Sequence, residues 1–297
     1  MSVGVGQTGC MSVVIWSGGR LRDEREAVVS ALDHGLTVGD GVFETCGVTR
    51  GQAFALTRHL RRLRLSATGL GLEAPDEDEI RAGIEAVLAA GGPGVGRVRV
   101  TVTAGPGPLG SHRAAPGTGR QTVLVLAGPA ARAQTVRLVR APWVRNERSA
   151  VAGLKTTSYA ENVVALAFAL ARGADESLLA NTIGELCEGT GSNVFVERGG
   201  ELVTPTLASG CLAGITRELL LEWGPAAALP VREAAPGELP FAVLAEVLTG
   251  AAHLAISSSV RNVVPAVSLD GRKTVAGPLC IAAGHLFEVN ASEQVDP

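Results

Sequence analysis

The chain has 297 residues, 46% of them hydrophobic and 19% charged, and a formal net charge of −3. This composition excludes a disordered chain and describes a folded protein with a sizeable core, in one large or two medium domains. There is no basic field to collect nucleic acid, no Lys/Arg-rich run paired with aromatics, and no apolar stretch of the roughly 18 residues that a membrane helix needs.

The five cysteines (Cys10, Cys46, Cys187, Cys211 and Cys280) are scattered and form no CxxC pair. They point to reduced thiols in a cytoplasm, without a disulfide scaffold or a zinc site. The segment MSVGVGQTGCMSVVIWSGG lacks the charged start and long apolar run of a signal peptide. The only methionines are Met1 and Met11, so residues 1–10 read as a non-structural extension ahead of a domain that starts at Met11.

His59-Leu60-Arg61-Arg62-Leu63 is read on a helix with Leu60, Leu63 and Ala67 on one face and a solvated cationic face opposite; one of its arginines could grip a phosphate bidentately. Asp76 to Ala90 is a predicted helix, with Asp76 as N-cap and Glu79 three residues on. Val98, Val100 and Val102 alternate with Arg99, Thr101 and Thr103 as in a half-buried strand. Residues 105–118 are rich in Gly and Pro and read as an exposed mobile loop, the alternative being a flap over a substrate pocket. A second strand follows over Gln121 to Ala127. The α+β pattern divides into a small N-terminal domain (11–127), a linker (128–135) and a larger C-terminal domain (136–297).

The second half opens with a short strand, Val136 to Val139. Of the 26 Lys plus Arg residues only Lys155 and Lys273 are lysines. Arg keeps its proton and only Lys forms Schiff bases, so a lysine kept in such a background is a candidate for chemistry. Lys273 sits in a polar turn. Lys155 precedes the apolar segment Tyr159 to Arg172, read as a buried helix, and the chain's only tyrosine, Tyr159, lies four residues on. Desolvation there would lower the lysine pKa and make its amine nucleophilic.

Short strands are expected at Ser177–Leu179, Ile183–Cys187 and Asn193–Glu197. Glu185 and Glu188 stand three apart, a spacing that turns one inward and one outward in a strand. Small residues after them let backbone approach a ligand. Leu212-Ala213-Gly214-Ile215-Thr216-Arg217 opens a helix over Thr216–Trp223, where backbone N–H groups and the Thr216 hydroxyl make an anion site; alone, Thr216 reads as a cap. Ser257-Ser258-Ser259 could add hydroxyls to an anion.

In order, Asp33-His34-Gly35-Leu36-Thr37-Val38-Gly39-Asp40-Gly41-Val42-Phe43-Glu44-Thr45, HLRRL, the Lys155 segment, ELCEGTGSNVF, TPTL and LAGITR resemble the fold-type IV pyridoxal-phosphate (PLP) enzymes of the class IV aminotransferase family. The likeness runs from about Ile15 to Asp270. It implies a two-domain, D-amino-acid-aminotransferase-like fold and a homodimer acting on a small molecule at the domain boundary. Lys155 is implied to hold PLP as a Schiff base, and Glu188 to pair with the pyridine nitrogen. Arg62, the backbone of Ile215, Thr216 and Ser259 are implied to hold the phosphate. Tyr159, Ser192 and Asn193 complete the expected cofactor set, while Thr37 and Arg261 are the expected substrate contacts. Ala104 stands where many aminotransferases of the family place an Arg for the substrate carboxylate. Overall the chain looks most like the 4-amino-4-deoxychorismate lyases, which form 4-aminobenzoate and pyruvate. The alternative is an aminotransferase for branched-chain or D-amino acids.

Overall fold

The computed structural model describes residues 13–115 and 119–297; the expected extension over residues 1–10 lies outside them. The first half builds a six-stranded sheet. Its elements are β1 (Val14–Ser17), β2 (Arg20–Arg22), the short helix α1 (His34–Thr37), β3 (Gly41–Thr49), β4 (Gln52–Ala53), α2 (Leu56–Leu70), α3 (Glu77–Gly91), β5 (Arg97–Thr103) and β6 (Thr122–Gly128). The strand order is β2-β1-β6-β5-β3-β4, with every pair antiparallel. Val98, Val100 and Val102 of β5 and Val123 and Val125 of β6 form one core with Leu60, Leu63, Ile80, Ile84 and Val87 from α2 and α3. The α3 boundary follows its sequence signal: Asp76 caps it by accepting from the N–H groups of Asp78 and Glu79.

The second half contributes β7 (Val136–Arg145), α4 (Ala160–Leu170), β8 (Glu176–Asn181), β9 (Leu186–Gly189), β10 (Asn193–Arg198), β11 (Glu201–Thr204), α5 (Ile215–Ala226), β12 (Val231–Glu233), α6 (Leu244–Thr249), β13 (His253–Ser258), β14 (Asn262–Leu269), β15 (Arg272–Lys273) and α7 (Pro278–Glu293). Eight strands run in the order β12-β11-β10-β13-β14-β7-β8-β9, and β15 pairs with β14, leaving Lys273 exposed. Parallel and antiparallel pairs mix, as the irregular element spacing implies. Helices α5 and α7 share a core with Phe195 and Leu202. α6 packs with Leu138, Leu178 and Ile256 in another.

Three expectations change. The first strand of this half runs on to Arg145, six residues past Val139. Ile183 is 66% exposed in a turn and not in a strand. There Asn181 and Glu185 exchange hydrogen bonds, Gly184 takes φ +82°, and the strand starts at Leu186. Helix α4 is not buried all round. Only Asn162, Ala165 and Ala169 are inside, whereas Val163 is 63% and Leu170 61% exposed. Its small inward side chains pack on β7 and β8, and among the described residues no second layer covers its outer face.

The second half of the chain meets the first sheet along β3. Val42 bridges to Thr156, Phe43 N–H donates to Lys155 O, and Thr157 N–H donates to Gly41 O. Segment 155–157 therefore lies against the N-terminal sheet, which fixes where Lys155 sits.

Of the glycine-rich 105–118 segment, the described residues after buried Gly105 are mostly exposed, yet they are tied down. Arg113 grips Asp40 through two nitrogens and the carbonyls of Leu70 and Gly71. Beside it, Asp33 is fully buried and accepts from Gly35 N–H and from the hydroxyls of Thr103 and Thr122, joining α1, β5 and β6. At about 1 kcal/mol per bond, Asp33→Ala is expected to lower unfolding stability by about 3 kcal/mol in urea titrations. A loss under 1 kcal/mol would show that the carboxylate does not carry this joint.

Candidate active site

A cavity of about 420 Å³ opens between the two halves and a second of about 630 Å³ adjoins it; Lys155, Tyr159, Glu188 and Leu212 line both. Lys155 does not start α4, which begins five residues later. Its backbone is pinned on both sides, by Ser66 Oγ and by Phe43 N–H, and its Nζ lies 4.3 Å from the Phe43 ring centre. Burial, aided by the Arg62 cation, pulls its pKa down to about 8 against the opposing pull of Glu44 and Glu188. Tyr159 stands edge-on to Phe43 at 5.1 Å, and burial pushes its hydroxyl up to about 12.

Glu188, the penultimate residue of β9, lines both cavities. Oε2 accepts from Leu212 N–H at 2.9 Å and Oε1 lies 3.4 Å from Arg145 Nε. Burial raises its pKa. Glu185, its neighbour in sequence, is spent on the turn, accepting from Asn181 and Gly237 N–H. The 188–193 turn is held from outside. Buried Asn162 donates to Thr190 O, Asn193 donates to Leu212 O, and Ser192 donates to Glu176.

The opposite end of the cavity is an anion cup. Helix α5 begins at Ile215 with no side chain capping it, so its first N–H groups face the cavity. Thr216 is buried as the second helical residue and is not the cap. A side chain at Gly214 would collide with Asn193 Oδ1, so the backbone can come close only with glycine there. Ser258 and Ser259 line the wall, as does Ser257, whose buried Oγ has no hydrogen-bond partner.

Arg62 completes the cup, and its helix face is not solvated as the sequence suggested. Nε and Nη2 grip Glu44 at 2.7 Å each, and Nη1 donates to Ala213 O just ahead of α5. His59, also buried, meets the same carboxylate through Nδ1 at 2.6 Å. Burial alone would raise the Glu44 pKa; Arg62 and His59 overcome that and hold it ionised.

Sequence reasoning missed two groups. Glu44 lies in a strand buried on both faces, which carries no alternation to mark it. Arg97 went unremarked and Arg99 was read on the alternate face of a half-buried strand, yet both line the cavity. Arg99 sits 3.8 Å from the Phe43 ring centre and bonds only Thr101 Oγ1, with no carboxylate partner among the described residues. The repeated arginine on one strand face was the signal available. Of the expected substrate contacts, Arg261 lines the cavity but is paired with buried Glu176. Thr37 lines neither cavity; its hydroxyl donates to Asp33 O.

The class IV aminotransferase family profile matches residues 41–269. The putative branched-chain-amino-acid aminotransferase of Methanocaldococcus jannaschii is 31% identical over 87% of this chain and 88% of its own. The aminodeoxychorismate lyase of Bacillus subtilis is 28% identical over 70% and 71%. A hypothetical aminotransferase from Mycobacterium tuberculosis in its PLP-bound form superposes with a TM-score of 0.80 at 25% identity, covering 94% of this chain and 98% of that one. The chain belongs to the class IV aminotransferase family, and it is a PLP-dependent enzyme.

The cavity fits that cofactor. It joins an amine of lowered pKa, an inward carboxylate that favours a proton between itself and a ring nitrogen, and an uncapped helix start with hydroxyls and a guanidinium for a phosphate. When bound, PLP supplies an aldehyde that condenses with amines and a ring that accepts the electrons released at the neighbouring carbon. Because the Lys155 amine is neutral above about pH 8, cofactor capture by apo-protein is expected to speed up with a midpoint near 8. A stopped-flow midpoint near the ordinary lysine value of about 10.4 would contradict its desolvation.

Proposed function

We propose that the chain is a 4-amino-4-deoxychorismate lyase releasing 4-aminobenzoate and pyruvate. The observation that carries this reading is the Arg97–Arg99 wall. Two guanidiniums without acid partners among the described residues line the cavity that contains Lys155, and this substrate brings one amine and two carboxylates. Thr45, Ser258 and Ser259 add hydroxyls, a lining better suited to an acid than to an aliphatic side chain.

In this reading Lys155 would hold the cofactor, which would supply the aldehyde for the substrate amine; the Lys155 amine would take the proton from the carbon bearing that amine and would take the cofactor back at the end, so that 4-aminobenzoate leaves as the free amine. The bond from the ring to the enolpyruvyl oxygen breaks, the proton is returned to the departing enol to give pyruvate, and the ring becomes aromatic. Atoms and electrons balance without an oxidant. Glu188 would keep the pyridine nitrogen protonated, and Tyr159, Ser192 and Asn193 would complete the cofactor set. Arg62, Ile215, Thr216 and Ser259 would hold the phosphate. Arg261, neutralised by Glu176, supports the Ser192 turn, and Arg99 takes one of the two substrate carboxylates.

The second reading is a branched-chain or D-amino-acid aminotransferase, favoured by the name of the 31% identical archaeal relative. Purified protein with PLP and freshly generated aminodeoxychorismate is expected to release 4-aminobenzoate and pyruvate, and Lys155→Ala to release neither. Turnover of L-Val, L-Leu or D-Ala that needs a 2-oxo acid, with no aminobenzoate formed, would replace the lyase by the aminotransferase. Arg99→Met is expected to lower kcat/KM roughly 10- to 100-fold, the worth of a lost charged hydrogen bond; an unchanged value would remove the acid-binding wall from the argument.

We also propose a homodimer, seated on the outer face of α4 with Trp143 and Val144 beside it. Exposed Val163, Val164 and Leu170 form an apolar stripe there. Among the described residues no helix is long and apolar enough to cross a membrane, and the four cysteines described are unpaired and buried, which suits a cytoplasmic enzyme. Val163→Asp with Leu170→Asp is expected to convert a dimer to monomers in analytical ultracentrifugation. A wild-type protein that sediments as a monomer would remove this proposal.

A further inference from the structure

Arg58 lies one turn before Arg62 on α2, a helix that starts without help from its own sequence. Ala55, at its N-cap, has φ +52° and offers no side-chain bond. The chain's last residues supply what is missing. Asp296 accepts from Thr57 N–H at 2.9 Å and from its hydroxyl at 2.6 Å, and Val295 O accepts from Ala55 N–H at 2.7 Å.

Arg58 then reaches across to α5. Nη1 donates to Glu218 at 2.6 Å and to Glu222 at 2.8 Å, Nη2 donates to Glu222 at 2.7 Å, and Nε donates to Pro297 O at 2.9 Å. Arg61 adds a second contact to Glu218. Glu218 lies one turn into α5, its N–H bonded to Gly214 O at the foot of the anion cup. α2 brings Arg62 to that cup, and α5 brings the N–H groups of Ile215 and Thr216. The two helices belong to different halves of the chain; Phe54 and Ala55 at the start of α2 share a core with Ile215 and Leu219 of α5, Arg62 reaches Ala213 O, and the Arg58 cluster ties the helices side by side.

We propose that Arg58 is a positioning residue for the cofactor phosphate: it clasps α2 to α5 and holds the two walls of the cup at the spacing the phosphate needs. It lines neither cavity. This rests on Arg62 and the α5 start being the phosphate site. A cup whose walls are apart part of the time binds in proportion to the fraction assembled. The loss should therefore fall on the phosphate, not on the amine chemistry at Lys155.

The test compares PLP with pyridoxal, which carries the aldehyde and lacks the phosphate, on the full-length apo-protein. For Arg58→Gln the PLP Kd is expected to rise about tenfold, as when the assembled fraction falls to about a tenth. The pyridoxal Kd and the kcat at saturating PLP should stay within about twofold. Arg58→Glu should be worse and should be rescued by adding Glu222→Arg. Equal weakening of PLP and pyridoxal would mean a general packing defect and overturn the proposal, as would an unchanged PLP Kd. Arg62→Met separates the two layers. If it weakens PLP while Arg58→Gln does not, the cup stands and the clasp falls. If it leaves PLP binding unchanged, the assignment of the cup falls and the clasp with it. Should Arg58→Gln fail to fold, Glu222→Gln on the exposed side of the clasp reads the same PLP-to-pyridoxal ratio, and an unchanged ratio there overturns the proposal too.

Discussion

A carboxylate with almost no access to solvent, Glu44, organises the active-site half of this molecule. Left alone in that position it would be protonated or would unfold its surroundings. Arg62 answers it with two parallel hydrogen bonds and His59 with a third. Because each partner comes from α2 and Glu44 from β3, the electrostatic requirement is also a mechanical one, and it sets the helix at one height on the sheet. Only with the helix at that height does Nη1 of Arg62 meet Ala213 O. The charge of Glu44 also cancels much of that of Arg62, so the cup relies on neutral N–H and O–H donors as much as on a cation.

The same strand fixes the reactive amine. Phe43 follows Val42 and precedes Glu44, and its N–H holds Lys155 O while its ring lies beneath Nζ. One β-strand thus sets both the distance to the phosphate end and the depth of the lysine. Rotating its residues by one place would exchange the faces of Phe43 and Glu44 and undo both together.

What could be read from the sequence follows from the range of each interaction. α3 was legible because its cap lies two and three residues from the groups it serves, and β5 because its valines alternate. Lys155, Glu188 and the start of α5 were legible as short motifs. The burial of α4 was misread because composition reports how apolar a helix is and not whether anything lies on top of it. Glu44 and Arg99 were missed because their meaning depends on partners from other elements, and a strand face toward an internal cavity looks like one toward water. The Asp296 cap on α2 links residues 239 positions apart, a distance over which no local pattern carries information.

The near-absence of lysine has a consequence for chemical selectivity. An aldehyde cofactor condenses with any unprotonated amine it meets, and most protein surfaces offer it dozens of side chains. Here only one other lysine side chain, exposed Lys273, competes with Lys155. An amine with a pKa near 8 is about one-tenth unprotonated at pH 7, hundreds of times more than an ordinary lysine. Excess cofactor should therefore find its own site with little background labelling, and lysine-directed reagents become nearly single-site probes of the fold.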